Sequence, residues 1–195
     1  MYDRVKRAID VTGAAVLLVV TGPILIVAAV AILVTMGSPV VFCQRRAGRA
    51  GRVFTVWKLR TMRAPRVGES ALGSEALRLT PVGRWLRATS FDELPQLWNV
   101  LRGEMSLVGP RPLLPEYVDR YSTRQARRHD VLPGLTGLVQ VSGRNALTWE
   151  EKLDLDVWYV DHQGLRLDAA ILLRSVAAVA ARRGAEPEGA AEFRG

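Results

Sequence analysis

Residues 11–36, VTGAAVLLVVTGPILIVAAVAILVTM, decide the architecture. No Asp, Glu, Lys or Arg interrupts these 26 residues. A helix of about 20 apolar residues is enough to cross the hydrocarbon core of a bilayer. The run is too long for the apolar core of a signal peptide, and no A-x-A-like cleavage site follows it. Gly22-Pro23 falls at its middle, where proline removes a helical hydrogen bond and crowds the preceding turn. Both flanks are basic: Arg4, Lys6 and Arg7 before, and Arg45, Arg46, Arg49 and Arg52 after. The positive-inside rule can place only one flank of a spanning helix in the cytoplasm, whereas a helix broken at Pro23 that enters and returns places both there. The expectation is a re-entrant helical hairpin over residues 1–36 and a cytosolic domain over residues 37–195. A kinked full span is the alternative.

The chain has 195 residues and a formal net charge of +8, with a sequence pI near 10.5. Such a balance points to anionic partners: nucleic acid, anionic lipid or a phosphorylated substrate. The single cysteine, Cys43 in VVFCQ, excludes a disulfide framework and a Cys-rich zinc site, and is expected to be a small buried apolar residue.

Beyond Met36 the pattern is that of a mainly helical α+β domain with short strands. GSPVVFCQ reads as a turn and strand, RVFTVWKLRTM as a second strand, and residues 64–75 as a loop. LTPVGRWLRATS predicts a short helix with Pro81 in its first turn, and DELPQLWNVLRGEM another that stops near Gly103. SLVGPRPLLP reads as a rigid connector, residues 115–129 as a polar helix, and VLPGLTGLVQVSGRN as loop and strand. TWEEKLDLDVWYVDH opens with a Thr148-x-x-Glu151 capping box, and LDAAILLRSVAAVAARR is a last amphipathic helix. Core packing is expected for most of the five tryptophans, with headgroup-level positions for the rest.

TSFDELPQ, residues 89–96, raises a question of charge. From Val41 through Phe91 there are eleven Lys or Arg and two acids, and then Asp92 and Glu93 stand side by side. Ser90-x-x-Glu93 fits a capping box, and acids suit a helix N-terminus. Capping needs only one acid, however, and the surroundings are cationic: Lys58, Arg60, Arg84, Arg87, Arg111 and Arg144. Each alone is expected to be a solvated surface charge. Together, on turn-rich or proline-rigid backbone with carboxylates among them, they suit a diphosphate and its divalent cation.

The motifs QRRAGRAG, VFTVWKLRTM, TSFDELPQLWNVLRGEMSLVGPRPLLPEY and LPGLTGLVQVSGRN resemble those of bacterial sugar transferases of the monotopic phosphoglycosyl transferase superfamily. The resemblance runs from KRAID into the last helix. It is nearest in kind to small single-domain members that make polyprenyl-diphosphate-linked sugars for glycoprotein glycans, such as diacetylbacillosamine-phosphate transferases. Two departures are visible: Ala47-Gly48 stands where relatives commonly have Pro-Gly, and Gly22-Pro23 where they often have Ser-Pro.

The resemblance implies a ping-pong transfer of a sugar 1-phosphate from a UDP-sugar, expected to be N-acetylated, to undecaprenyl phosphate. Asp92 would be the nucleophile and Mg²⁺ ligand, with Glu93 assisting metal or nucleotide placement. Lys58, Arg60, Arg87, Arg111 and Arg144 would contact phosphate and uridine, and Pro110 and Pro112 would fix the backbone of Arg111. The implied location is the cytoplasmic face of the bacterial inner membrane. Nucleic acid is not an expected partner, and self-association is left open. One rival is a non-enzymatic membrane-anchored basic protein binding anionic lipid or nucleic acid; another is a metal-dependent phosphohydrolase. His129 and His162 end helical stretches and are assigned no catalytic role. LPGLTG lacks the Walker pattern and reads as turn geometry.

Overall fold

The computed structural model describes residues 2–66, 75–143 and 146–181. The apolar run lies in helix α1, Tyr2–Met36, with Pro23 inside it. The expected interruption thus takes the form of a proline within one helix, not of two helices joined by a loop.

Both halves of α1 pack on the globular body. Ala14 and Leu18 join a core cluster with Val56, Leu97, Val100 and Leu107, while Ala28 and Ile32 join a second cluster with Leu59 and Leu86. Polar side chains fix the helix's first turns. Lys6 Nζ and the Tyr2 hydroxyl donate to Asp168 Oδ2 at 2.8 and 2.9 Å. Arg7 donates to the carbonyls of Val100 and Leu101 at 2.7 and 3.0 Å. Asp10 Oδ1 accepts the Leu107 N–H at 3.0 Å. That bond gives the buried Asp10 side chain a hydrogen-bond partner. Between these anchors Val19, Val20, Ile26 and Val27 face outward, and the helix is long and apolar enough to cross a membrane.

Strands β1 (Val41–Ala47) and β2 (Val53–Leu59) form an antiparallel hairpin, registered from Val41 opposite Leu59 to Ala47 opposite Val53. Cys43 on β1 is exposed, contrary to the expected burial; it pairs with Trp57, and the buried Val56 stands opposite its neighbour Gln44 on the other face of the hairpin. A short helix α2 (Glu75–Arg78) leads to α3, Pro81–Thr89, which Thr80 caps by accepting the Gly83 N–H, with Pro81 in the first turn as expected.

The helix expected from Asp92 onward is divided: a 3₁₀ segment, Phe91–Gln96, precedes α4, Leu97–Arg102. Pro95, lacking a donor, suits this tighter segment. Strand β3 (Ser106–Val108) pairs in parallel with β4 (Gly134–Thr136), so the expected connector begins as a strand. The polar helix expected over residues 115–129 is three pieces: a 3₁₀ segment Pro115–Arg120, helix α5 (Thr123–Ala126) behind a Ser122 capping box, and a 3₁₀ turn Arg127–His129. Ser122 starts a new element, which ends the preceding one. Within VLPGLTGLVQVSGRN, expected as loop and strand, the strand is β4, and Leu138–Ser142 forms helix α6.

Helices α7 (Trp149–His162) and α8 (Leu165–Ala180) match expectation, including the Thr148–Glu151 capping box. Core packing fails for most of the tryptophans: Trp85, Trp98 and Trp158 are each about half exposed. The core is filled instead by aliphatic residues and Tyr159.

Candidate active site

Asp92 occupies the second position of the Phe91–Gln96 turn. The preceding Ser90 has left-handed backbone (φ 57°) and ends α3, its N–H bonded to the Arg87 carbonyl. It makes no side-chain cap, so the expected Ser90–Glu93 capping box does not form. On the 3₁₀ segment that follows, the two adjacent acids meet different surroundings.

Glu93 is locked between two cations. Its Oε1 accepts from Lys58 Nζ at 2.7 Å and from Arg111 Nη2 at 2.9 Å. Burial pushes this carboxyl upward, but Arg111 and Lys58 outweigh it and hold it well below the usual carboxylate range. Asp92 makes no side-chain hydrogen bond to the described residues and is 9% exposed. Burial, with the neighbouring Glu93 charge, pushes its pKa up to about 6 against the pull of Lys58, Arg87 and Arg111. Two adjacent carboxyls pushed in opposite directions are a pattern of sites with divided roles.

Both acids lie on a cleft of about 1790 Å³ whose wall also carries Lys58, Arg60, Arg87 and Arg111. Lys58 comes from β2, so strand register sets its height above the acids. Arg87 comes from the last turn of α3 and donates through Nε to Thr61 Oγ1 at 3.1 Å. Helix α3 can lie this close because residue 83 is glycine: a Cβ there would sit 1.9 Å from the Thr61 carbonyl oxygen. Arg60 reaches the cleft but donates to the backbone carbonyls of Met62, Gly37 and Pro39. Its guanidinium therefore braces the turn after β2. Arg144 lies outside the described residues.

Arg111 is held by more than its flanking prolines. Four consecutive carbonyls accept hydrogen bonds from other segments: Pro110 from Gly134 N–H, Arg111 from Arg128 Nη2, Pro112 from Arg46 Nη1, and Leu113 from Ala47 N–H. Gly134 is required for the first, since a Cβ there would lie 2.1 Å from the Gly109 nitrogen. Arg128, 3% exposed, also pairs with the buried Asp156 at 2.7 Å. The sequence reading missed Arg128, Asp156 and Thr61. Asp156 left a trace: it falls among Leu153, Val157 and Val160 on the inner face of α7, where a carboxylate requires a buried partner.

Three features converge: a desolvated carboxylate, a neutralised carboxylate beside it, and cations from three elements around one cleft. Such a cleft can bind a diphosphate and present an anionic nucleophile to it. Comparison with known proteins agrees. The family model for bacterial sugar transferases matches residues 1–182. The chain is 48% identical to an uncharacterized sugar transferase, EpsL, of Bacillus subtilis, over 92% of this chain and 89% of the relative. It is 44% identical to a UDP-glucose:undecaprenyl-phosphate glucose-1-phosphate transferase of Caulobacter vibrioides, over 89% of this chain and 69% of the relative. It is 36% identical to an undecaprenyl-phosphate galactose phosphotransferase of Salmonella typhimurium, over 92% of this chain and 41% of that longer relative. The protein therefore belongs to the bacterial sugar transferase family and is an enzyme of that transferase class.

Proposed function

We propose that the protein transfers a sugar 1-phosphate from a UDP-sugar to undecaprenyl phosphate, releasing UMP, in two displacements at one phosphorus. The observation that carries this reading is the contrast between Asp92, desolvated and unpaired among the described residues, and Glu93, held by Lys58 and Arg111. In the first step an Asp92 oxygen attacks the phosphorus that bears the sugar, and the bond to the UMP oxygen breaks. UMP leaves with the electron pair of that bond, and a phosphosugar-aspartyl ester remains. In the second step the phosphate oxygen of undecaprenyl phosphate attacks the same phosphorus. The Asp92–phosphorus bond breaks, the carboxylate is restored, and undecaprenyl-diphosphate-sugar departs.

A carboxyl with a pKa of about 6 is largely ionised at neutral pH, yet poorly solvated and so reactive. Arg111 and Arg87, both on the cleft wall, would oppose the repulsion between two anions. Glu93 keeps Lys58 and Arg111 in place before substrate arrives, which lowers the reorganisation needed in the transition state.

Mg²⁺ fits this site with few protein ligands. No three His, Cys, Asp or Glu cluster among the described residues, and Mg²⁺ commonly takes one or two carboxylates, with phosphate and water oxygens completing its shell. Asp92 has a carboxylate to offer; Glu93, with Oε1 engaged by two cations, has Oε2. When bound, the ion would neutralise charge on the diphosphate.

Placement at the cytoplasmic face of the membrane, with α1 entering and returning, is part of the same proposal. Its support is that both ends of α1 pack on one globular body: Lys6 pairs with Asp168, and Ile32 is buried against Leu59 and Leu86.

The test is UMP release by the full chain in nanodiscs with undecaprenyl phosphate and Mg²⁺. The UDP-sugar panel spans glucose, galactose and N-acetylated sugars, with Asp92→Asn as control. Release with one donor, abolished by the Asn change, and recovery of a lipid diphosphate-sugar are expected. Free sugar phosphate as the product would make the protein a hydrolase. UMP release unaffected by Asp92→Asn would remove Asp92 from the mechanism.

A further inference from the structure

A second, smaller crevice lies between α1 and α3, about 360 Å³ in volume. Ile24, Val27, Ala28 and Ala31 form one wall and Pro81, Val82 and Trp85 the other, with no charged residue among them. The α1 wall belongs to the middle of the long apolar helix, where Ile24 and Val27 are exposed. A ligand here meets only hydrocarbon on one side and can reach the bilayer without crossing water.

The crevice is also joined to the reacting centre. Trp85 is 49% exposed in the crevice and meets Phe91 edge-to-face, with ring centroids 5.4 Å apart at 83°. Phe91 lines the larger cleft and directly precedes Asp92. Two residues beyond Trp85 on the same helix, Arg87 turns into that cleft. One short helix thus carries an apolar platform on its membrane side and a cation on its catalytic side. An amphiphile with an anionic head and an unsaturated hydrocarbon chain matches that order of groups.

We propose that this α1–α3 crevice seats the first isoprene units of the lipid-phosphate acceptor, with Trp85 as the contact that directs the head toward Asp92. The proposal rests on the transferase reading given above, since it takes the acceptor from that reading. Bulk membrane lipid is the competing occupant, and the exposed face of α8 around Leu173 is the competing route for the chain.

The test uses the full chain in nanodiscs of zwitterionic lipid and separates the two displacements. Trp85→Ala and Ala31→Phe, which empties and fills the crevice respectively, should raise the KM for undecaprenyl phosphate about tenfold. The donor KM and the single-turnover release of UMP without acceptor should stay unchanged, Trp85→Phe should restore most of the loss, and Leu173→Ser should have no effect. A polyprenyl phosphate carrying a photoreactive group in its first isoprene units should label peptides of α1 and α3, and excess undecaprenyl phosphate should suppress that labelling. Labelling that excess acceptor does not suppress would assign the crevice to bulk lipid. An acceptor-specific effect from Leu173→Ser alone would move the chain to α8. Equal loss in both displacements would make Trp85 a structural residue only. Absence of UMP release by the unmodified protein would overturn the transferase reading itself, whereas normal turnover with an indifferent Trp85→Ala overturns only the crevice.

Discussion

Arg128 Nη2 lies 2.7 Å from the carbonyl oxygen of Arg111, so a buried guanidinium holds the backbone of a guanidinium that faces the cleft. The same Arg128 carries the charge of Asp156, 4% exposed, and its plane lies over the Tyr121 ring at 5.7 Å. Arg128 is a positioning residue: it touches no reacting atom but determines where Arg111 stands.

Removing Arg128 alone leaves Asp156 buried and unpaired. Arg128→Met should therefore cost about 3–5 kcal/mol in denaturant unfolding. Replacing both, as Arg128→Met with Asp156→Leu, should recover most of that stability. Turnover should stay depressed by roughly tenfold or more, because the Arg111 carbonyl has lost its charged donor. Recovery of turnover along with stability would show that Arg128 serves packing only.

Glu93→Gln should leave the fold intact and lower kcat/KM for the UDP-sugar by about 10²-fold. The amide keeps the shape but releases Lys58 and Arg111 from their fixed approach at 2.7 and 2.9 Å. Steady-state kinetics across donor concentrations measures this, and an unchanged kcat/KM would contradict the role given to Glu93.

Asp92 makes stability depend on pH with a definite sign. Its folded pKa is raised from 3.8 to about 6, so the native state holds this proton more tightly than the unfolded chain does. The contribution is fully present below pH 3.8 and is lost as pH rises to about 6. Asp92→Asn removes the cost of burying the charge, at most about 3 kcal/mol. In chelator-treated samples the Asn variant should exceed the wild type in unfolding free energy at pH 7.5, and by little at pH 4. The same gain at both values would contradict the desolvation account.

Gly83→Ala should cost about 1–3 kcal/mol and most of the activity together. The new methyl group meets the Thr61 carbonyl at 1.9 Å, which forces α3 away from β2 and takes Arg87 with it. Thermal unfolding and UMP release read the two effects separately.

For the membrane arrangement, cysteines at Asp3 and Arg49, both exposed, should resist an impermeant thiol reagent added outside intact cells. The background must carry Cys43→Ser, because the native thiol is itself exposed. Labelling of just one introduced cysteine would establish a full span.

Features with short-range causes were legible in the sequence. The apolar run, the β1–β2 pair, the Pro81 start of α3 and the Thr148 capping box depend on residues within a turn or a strand of one another. The misreadings arose where distant partners decide. Ser90 matches a capping box, but α3 ends on it in left-handed backbone and its side chain caps nothing. Leu138–Ser142 looks like strand, yet only the short segment before it finds a partner in β3. Charge contrast marked the adjacent acids and a wider set of cations, Lys58, Arg60, Arg84, Arg87, Arg111 and Arg144, from which the resemblance, not the charge pattern, took the candidate contacts. The bonds from Arg128 and Arg46 to a proline-flanked backbone could not be named in this way, since nothing local marks a donor that serves a carbonyl 17 or 66 residues away.

The ties of α1 to the rest of the chain bear on how the molecule is made. Lys6 and Asp168 are 162 residues apart in the chain. At about 5–20 residues per second, α1 leaves the ribosome roughly 10–30 s before its partner on α8 is synthesised. Arg7 and Asp10 wait 93 to 97 residues for Val100, Leu101 and Leu107, and Lys6 waits for Asp168 through the whole interval. On the membrane placement proposed above, α1 is free to enter the bilayer before the catalytic body closes on it. Deleting α1 to obtain a soluble enzyme would remove Ala14, Ala28 and Ile32 from the two cores, leave the Leu107 N–H without its acceptor and leave Asp168 with the Tyr159 hydroxyl but without its cation. The anchor is part of the core, and solubilisation has to keep it.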